Sequence, residues 1–133
     1  LFLEVSMKKY KFIFLLVFLL ITGCSSHNNV THEVAFIDGE KVYQMIKNKD
    51  TYIIDVREDY EYKSGHLPNS YNIPLGDINS ISLNNFSHTS TIIVYCRSGN
   101  RSNTAANLLI KLGYENVYDM GGITNWPYDL VIG

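Results

Sequence analysis

Cysteine is scarce in this chain, with only Cys24 and Cys96 in 133 residues. That excludes a disulfide-dense scaffold, in which several pairs stand in for a core. Proline is confined to Pro68, Pro74 and Pro127, so there is no polyproline tract. Positive charge is not in surplus either. The 11 Lys and Arg stand against 13 Asp and Glu, for a formal net charge of −2. No basic stripe appears, which argues against nucleic acid as a partner. His27, His32, His66 and His88 lack ligand spacing with carboxylates or thiols, and no Walker or Rossmann glycine loop is present. Neither a metal nor a cofactor is therefore expected. No internal repeat is visible.

Long apolar runs are limited to one. Lys8, Lys9 and Lys11 precede the stretch Phe12 to Ile21, and Thr22-Gly23-Cys24 follows it. A basic cluster, a short apolar core and small residues at its end read as a secretory signal. The run is too short for an ordinary membrane span, which needs about 20 apolar residues. Ile21-Thr22-Gly23-Cys24 also resembles the lipobox of bacterial lipoproteins, whose cysteine is acylated and becomes the mature N-terminus. Ordinary signal cleavage, or an uncleaved anchor with Cys24 incidental, stays open beside that reading. The chain thus divides into a leader over 1–23, in which residues 1–6 precede Met7 as a start-site artefact, a polar tether over 24–32 and one domain over 33–133. The domain is expected outside the cytoplasm, lipid-anchored to a bacterial cell membrane through Cys24, and monomeric.

If Cys24 carries lipid, Cys96 is left as a lone thiol, which suggests chemistry more than scaffolding; a Cys24–Cys96 disulfide is the other possibility outside the cytoplasm. The stretch Ile92-Ile93-Val94-Tyr95 reads as a buried strand ending at Cys96. The polar Arg97-Ser98-Gly99-Asn100-Arg101-Ser102 follows, and then a helix over 103–112 with Ala105, Leu108, Leu109 and Leu112 on one face. A cysteine where a strand hands over to a helix faces unpaired N–H groups and the positive end of the helix dipole. Arg97 and Arg101 add two permanent charges. Such surroundings lower a thiol from about 8.5 to roughly 3.5–7.5. The bland reading is a small core cysteine, which the polar residues after it disfavour.

Around this stretch the chain alternates between strand and helix patterns. Strands are expected at 33–37, 52–56, 71–73, 91–95 and 117–120. Asp38 is placed to cap a helix bearing Val42, Met45 and Ile46, a short charged helix spans 58–63, and an irregular one 75–83. Gly113 ends the helix after Cys96, Gly121-Gly122 form a tight turn, and a last short helix surrounds Trp126. This order argues for an α/β fold with a small parallel sheet flanked by helices on both faces.

Three segments resemble signatures of the single-domain rhodanese family, in that family's order: DVREDYEYKSGHLPNSYNIP (Asp55 to Pro74), CRSGNRS (Cys96 to Ser102) and GGITNWP (Gly121 to Pro127). The resemblance implies a five-stranded parallel sheet and a sulfurtransferase. A sulfane sulfur would pass from a small sulfur-containing anion such as thiosulfate, through a persulfide on Cys96, to a thiol or cyanide. By carry-over, Arg97, Ser98, Gly99, Asn100, Arg101 and Ser102 bind the anion. Asp55 and Arg57 fix the surrounding loops rather than face the pocket, and His66 makes a loop-fixing hydrogen bond rather than carrying a proton. Gly121 and Gly122 permit close backbone approach, and Trp126 acts as a core lid rather than a substrate platform.

Three rivals stand beside it. Related folds that act as phosphatases or arsenate reductases use a Cys-x5-Arg loop, whereas Arg101 follows Cys96 after four residues. A rhodanese-like binding or regulatory module is the second, and a redox role through mixed disulfides the third.

Overall fold

The computed structural model describes residues 33–133. The leader, the lipobox-like segment with Cys24, and the tether lie outside the described residues.

The strands are β1 (Ala35–Phe36), β2 (Thr51–Asp55), β3 (Ser70–Asn72), β4 (Thr91–Cys96) and β5 (Asn116–Gly122). All neighbouring pairs run parallel, in the order β1-β5-β4-β2-β3. Among the described residues three α-helices accompany them: α1 (Gly39–Met45), α2 (Asp59–Lys63) and α3 (Asn100–Lys111). This is the five-stranded parallel α/β sheet expected from the strand count.

The central strand β4 is buried on both faces, which explains its unbroken apolar run. Its side chains divide by strand alternation. Ile92, Val94 and Cys96 join a core with Ala105, Ala106 and Leu109 of α3, while Ile93 and Tyr95 join another with Val42 of α1, Leu67, Met120 and Trp126. Helices therefore cover both faces, and the alternation turns Cys96 towards α3.

α1 is capped by Asp38, whose carboxylate accepts the Lys41 N–H at 2.9 Å. α2 opens with a capping box between Glu58 and Glu61. α3 ends at Gly113, with φ +95°, where the Gly113 and Tyr114 N–H groups bond back to Ile110 and Leu109 carbonyls.

Several boundaries differ from the sequence reading. The helix expected from Asn103 begins at Asn100. Its first turn is polar because its N–H groups face the site, so apolar periodicity starts one turn late. Gly121 and Gly122 are not a tight turn but the end of β5. The strand carries one extra residue, shifting register between Val94↔Asp119 and Tyr95↔Gly121. Residues 75–83 hold only a 3-10 turn at Leu75–Asp77, followed by turns tied to the Asn79 side chain. The last helix is a 3-10 turn, Ile123–Asn125, that stops before Trp126. Beyond Trp126 the chain returns to the loop between α2 and β3, where His66 and Val131 exchange backbone hydrogen bonds of 2.9 Å.

Candidate active site

Parallel strands place their C-terminal ends on one edge, where α/β folds bind ligands. Cys96 is the last residue of β4 and Asp55 the last of β2, so both lie at that edge. The Cys96 residue is only 1% exposed. A sulfur that deep admits a small reacting atom and little else.

Between β4 and α3 the turn is three residues long, Arg97-Ser98-Gly99. It closes because Gly99 adopts φ +104°, a conformation other residues rarely take. The Gly99 N–H then donates to Cys96 Sγ at 3.1 Å. Burial, the largest single influence, pushes the thiol up. The Ser102 hydroxyl and the N–H groups of Ser102, Gly99 and Ser98 together outweigh it, leaving the thiol below its ordinary value. Ser102 is fully buried, and the Gly99 carbonyl, 3.0 Å from its Oγ, is a second acceptor within reach of its one hydroxyl proton. Asn100, Arg101 and Ser102 occupy the first turn of α3, whose N–H groups lack intrahelical acceptors.

The strand behind the turn is shaped to receive it. A Cβ on Gly122 would lie 2.8 Å from the Arg97 carbonyl oxygen, so only glycine allows the approach. Gly121, at φ +77°, donates its N–H to the buried Asp119 carboxylate at 2.7 Å. Asn100 and Arg97 are solvent-facing.

Arg101 reaches across from α3 to α2. Its guanidinium forms a bidentate pair with Glu61 of α2, at 2.7 and 2.9 Å. Glu61 also accepts the Glu58 N–H at 3.0 Å. Arg101 drives the Glu61 carboxyl down to about 2. The two residues of Arg101's charge that matter to the site are thus Glu61, which holds it, and Cys96, whose negative form it feels. Sequence reasoning missed Glu61. Its spacing from Glu58 signals the capping box, but nothing local signals a partner 40 positions away.

Asp55 and Arg57 form a closed unit beside the loop. The Asp55 carboxylate is fully buried and accepts the Arg57 N–H at 2.9 Å, Nε at 3.0 Å to both oxygens, and Nη2 at 2.6 Å. Arg57 Nη2 also donates to the Gly65 carbonyl at 2.7 Å. Its guanidinium lies 5.7 Å from the Tyr95 ring centre. His66 is stacked on Tyr62 and its Nδ1 donates to the Tyr62 carbonyl at 3.0 Å. Trp126 lies in the core on the α1 side, donating Nε1–H to the Asp129 carbonyl at 3.2 Å. The structure therefore gathers Ser98, Gly99 and Ser102 around the Cys96 sulfur and sets Gly121 and Gly122 behind the turn. It sets Asp55, Arg57 and His66 alongside, and leaves Trp126 apart.

The profile of the rhodanese-like domain family matches residues 38–128. The chain belongs to this family. Among relatives of this rhodanese-like domain, the "Putative thiosulfate sulfurtransferase, mitochondrial" of Schizosaccharomyces pombe is 40% identical over 120 residues, covering 78% of this chain and 84% of the relative. An adenylyltransferase and sulfurtransferase of Ogataea parapolymorpha is 40% identical over 86 residues, which are 64% of this chain but only 22% of that protein. A solved structure, a rhodanese with anions from E. coli, superposes with a TM-score of 0.58 at 31% identity, covering 62% of this chain and 99% of that one.

Two outcomes follow from the charged groups. Asp55→Ala leaves the Arg57 charge buried without a partner, and chemical denaturation should show a loss of about 3–5 kcal/mol. Glu61 has a folded value near 2, below the roughly 4.3 of an unfolded Glu. Its stabilisation is therefore present above about pH 4.3 and lost as pH falls towards 2. Glu61→Gln should cost about 1 kcal/mol at neutral pH and only a small part of that at pH 2, read by denaturation at both.

Proposed function

We propose that this rhodanese-like domain is a sulfurtransferase that carries sulfane sulfur on Cys96. The observation that supports this reading most directly is a buried thiol, held towards its thiolate by N–H and O–H donors at a strand-to-helix turn.

The Cys96 thiolate attacks the outer sulfur of a donor such as thiosulfate. A bond forms between Sγ and that sulfur, the sulfur–sulfur bond of the donor breaks, and its electron pair leaves on sulfite. Cys96 is left as a persulfide, whose negative charge the same N–H groups of Ser98, Gly99 and Ser102 can hold. The donor's sulfonate oxygens lie outward, towards the exposed Arg97 and Asn100. A thiol or cyanide then removes the outer sulfur and restores the thiolate.

The short three-residue turn favours sulfur over phosphoryl transfer. A phosphate ester must place a whole phosphoryl group within the ring of donors, in line with Sγ. Here Arg101, the arginine such a site would use, is occupied by Glu61.

With Cys24→Ser as background, intact mass after thiosulfate treatment should rise by one sulfur atom and return to the start with cyanide. A further Cys96→Ser change should abolish both, and aryl phosphate hydrolysis should be negligible throughout. Sulfur transfer that survives Cys96→Ser, or faster turnover of aryl phosphate through Cys96, would sink the assignment.

The leader carries the second part of the proposal, that the mature protein is lipid-anchored outside the cytoplasm through Cys24. The motif Ile21-Thr22-Gly23-Cys24 behind the apolar run supports it. Native protein should fractionate with membranes and carry lipid on residue 24, and Cys24→Ala should block that processing. A soluble native protein with unmodified Cys24 would count against it.

A further inference from the structure

At the β3 edge of the sheet a pocket of about 460 Å3 opens between β2, β3 and the turns that follow Leu75–Asp77. Three aromatic rings line it: Tyr52 of β2, Tyr71 of β3 and Phe86 from the turns. Asn72, Ser82 and Asn85 supply its polar groups, and Ile73 an aliphatic one. None of residues 96–102 lines it, so it is separate from the turn that holds the sulfur. The volume falls within the range of small-molecule sites, roughly 300–1,000 Å3.

The lining holds no charged side chain. An anion such as thiosulfate finds no cation there, and a cation finds no carboxylate. A wholly apolar occupant is disfavoured too, because it would strip water from amide and hydroxyl groups and offer nothing in return. Two of the polar groups are fixed by the protein. Asn72 Nδ2 donates to the Asp55 and Arg57 carbonyls at 3.1 and 2.9 Å, and the Ser82 hydroxyl donates to the Asn79 carbonyl at 3.0 Å. Asn85 and Tyr71 are exposed, so their amide and hydroxyl are open to a ligand. The rings brace one another. Phe86 meets Tyr52 at 71° with centres 4.7 Å apart, and Tyr71 at 83° and 5.5 Å, while Tyr52 and Tyr71 lie at 58° and 6.1 Å. Rings held in this way lose little side-chain freedom when a ligand arrives. No two are parallel, so they make a corner and not a slot for a flat heteroaromatic group.

We infer that this pocket binds a neutral sugar in its pyranose form. A pyranose chair carries C–H bonds on its faces and hydroxyls around its rim. The C–H faces suit rings that stand at steep angles to one another. Each rim hydroxyl both donates and accepts, as do the Asn85 amide and the Tyr71 hydroxyl that meet it. A β-glucoside suits the corner best, since its ring substituents are all equatorial and both faces are left to C–H bonds. The inference stands apart from the sulfurtransferase reading and gives the domain a second ligand, held at a different edge from Cys96.

The test is a titration of the 15N-labelled full chain in a detergent without a sugar head group. Methyl β-D-glucopyranoside is the probe, and adenosine and indole stand for flat aromatic ligands. The glucoside should shift the backbone amides of Tyr52, Tyr71, Asn85 and Phe86 and the side-chain amide of Asn85, saturating with a Kd of about 1 mM. The Gly99 and Ser102 amides should stay in place. Tyr71→Ala and Asn85→Ala, both at exposed positions, should each weaken the glucoside at least fivefold while the α3 amides keep their positions. Should Tyr71→Ala disturb the edge strand, Asn85→Ala decides alone. Three results overturn the inference: no saturable shift at the pocket, undiminished affinity in Asn85→Ala, or adenosine or indole binding there more tightly than the glucoside.

Discussion

Burial drives the Cys96 thiol towards its neutral form, and the hydrogen bonds at the turn drive it back. Neither half of that balance can be given up. An exposed sulfur would hold its charge easily but would meet any oxidant or thiol in solution. A sulfur buried in an apolar core would be safe and inert. The remaining architecture of the edge serves the compromise. Gly99 bends the chain so that its N–H turns onto Sγ, Ser102 delivers a hydroxyl from the first turn of α3, and Gly122 leaves room for the Arg97 carbonyl behind.

The turn is held from its sides rather than from within. Glu61 reaches it from α2 through Arg101, and the same carboxylate completes the cap of its own helix. Asp55 and Arg57 join the end of β2 to the Gly65 carbonyl, and Asn72 Nδ2 of β3 donates to the Asp55 and Arg57 carbonyls at 3.1 and 2.9 Å. Loops that carry a reactive group are positioned by the scaffold beneath them. Here that scaffold is a chain of polar contacts running from β3 through β2 and α2 to α3.

Much of this was legible in the sequence because the signals are local. β4 announces itself by an apolar run that a doubly covered parallel strand requires, and Gly113 marks the end of α3 by the conformation needed there. The start of α3 was misjudged for a physical reason. A helix whose first turn faces a ligand carries polar residues where a core-facing helix would carry apolar ones. The extra residue in β5 left no trace, since Gly121-Gly122 is equally the composition of a tight turn. Glu61 was invisible as a site residue because its partner lies in another element. The family signatures drew attention to the cysteine at the strand-to-helix turn, but the direction in which Arg101 points is a tertiary fact.

The two arginines beside the site also differ in how they meet dissolved ions. Arg57 and Asp55 have side chains only 6% and 0% exposed, so mobile ions cannot interpose and their attraction is little screened. Arg97 stands in solvent, where at about 0.15 M salt charges are screened over roughly 8 Å. Ionic strength therefore acts on the two unequally. A rise in salt leaves the frame of the edge intact and weakens only the pull that Arg97 exerts on anions in solution. The surroundings of the protein thus set the reach of the outer charge, with no change in the architecture behind it.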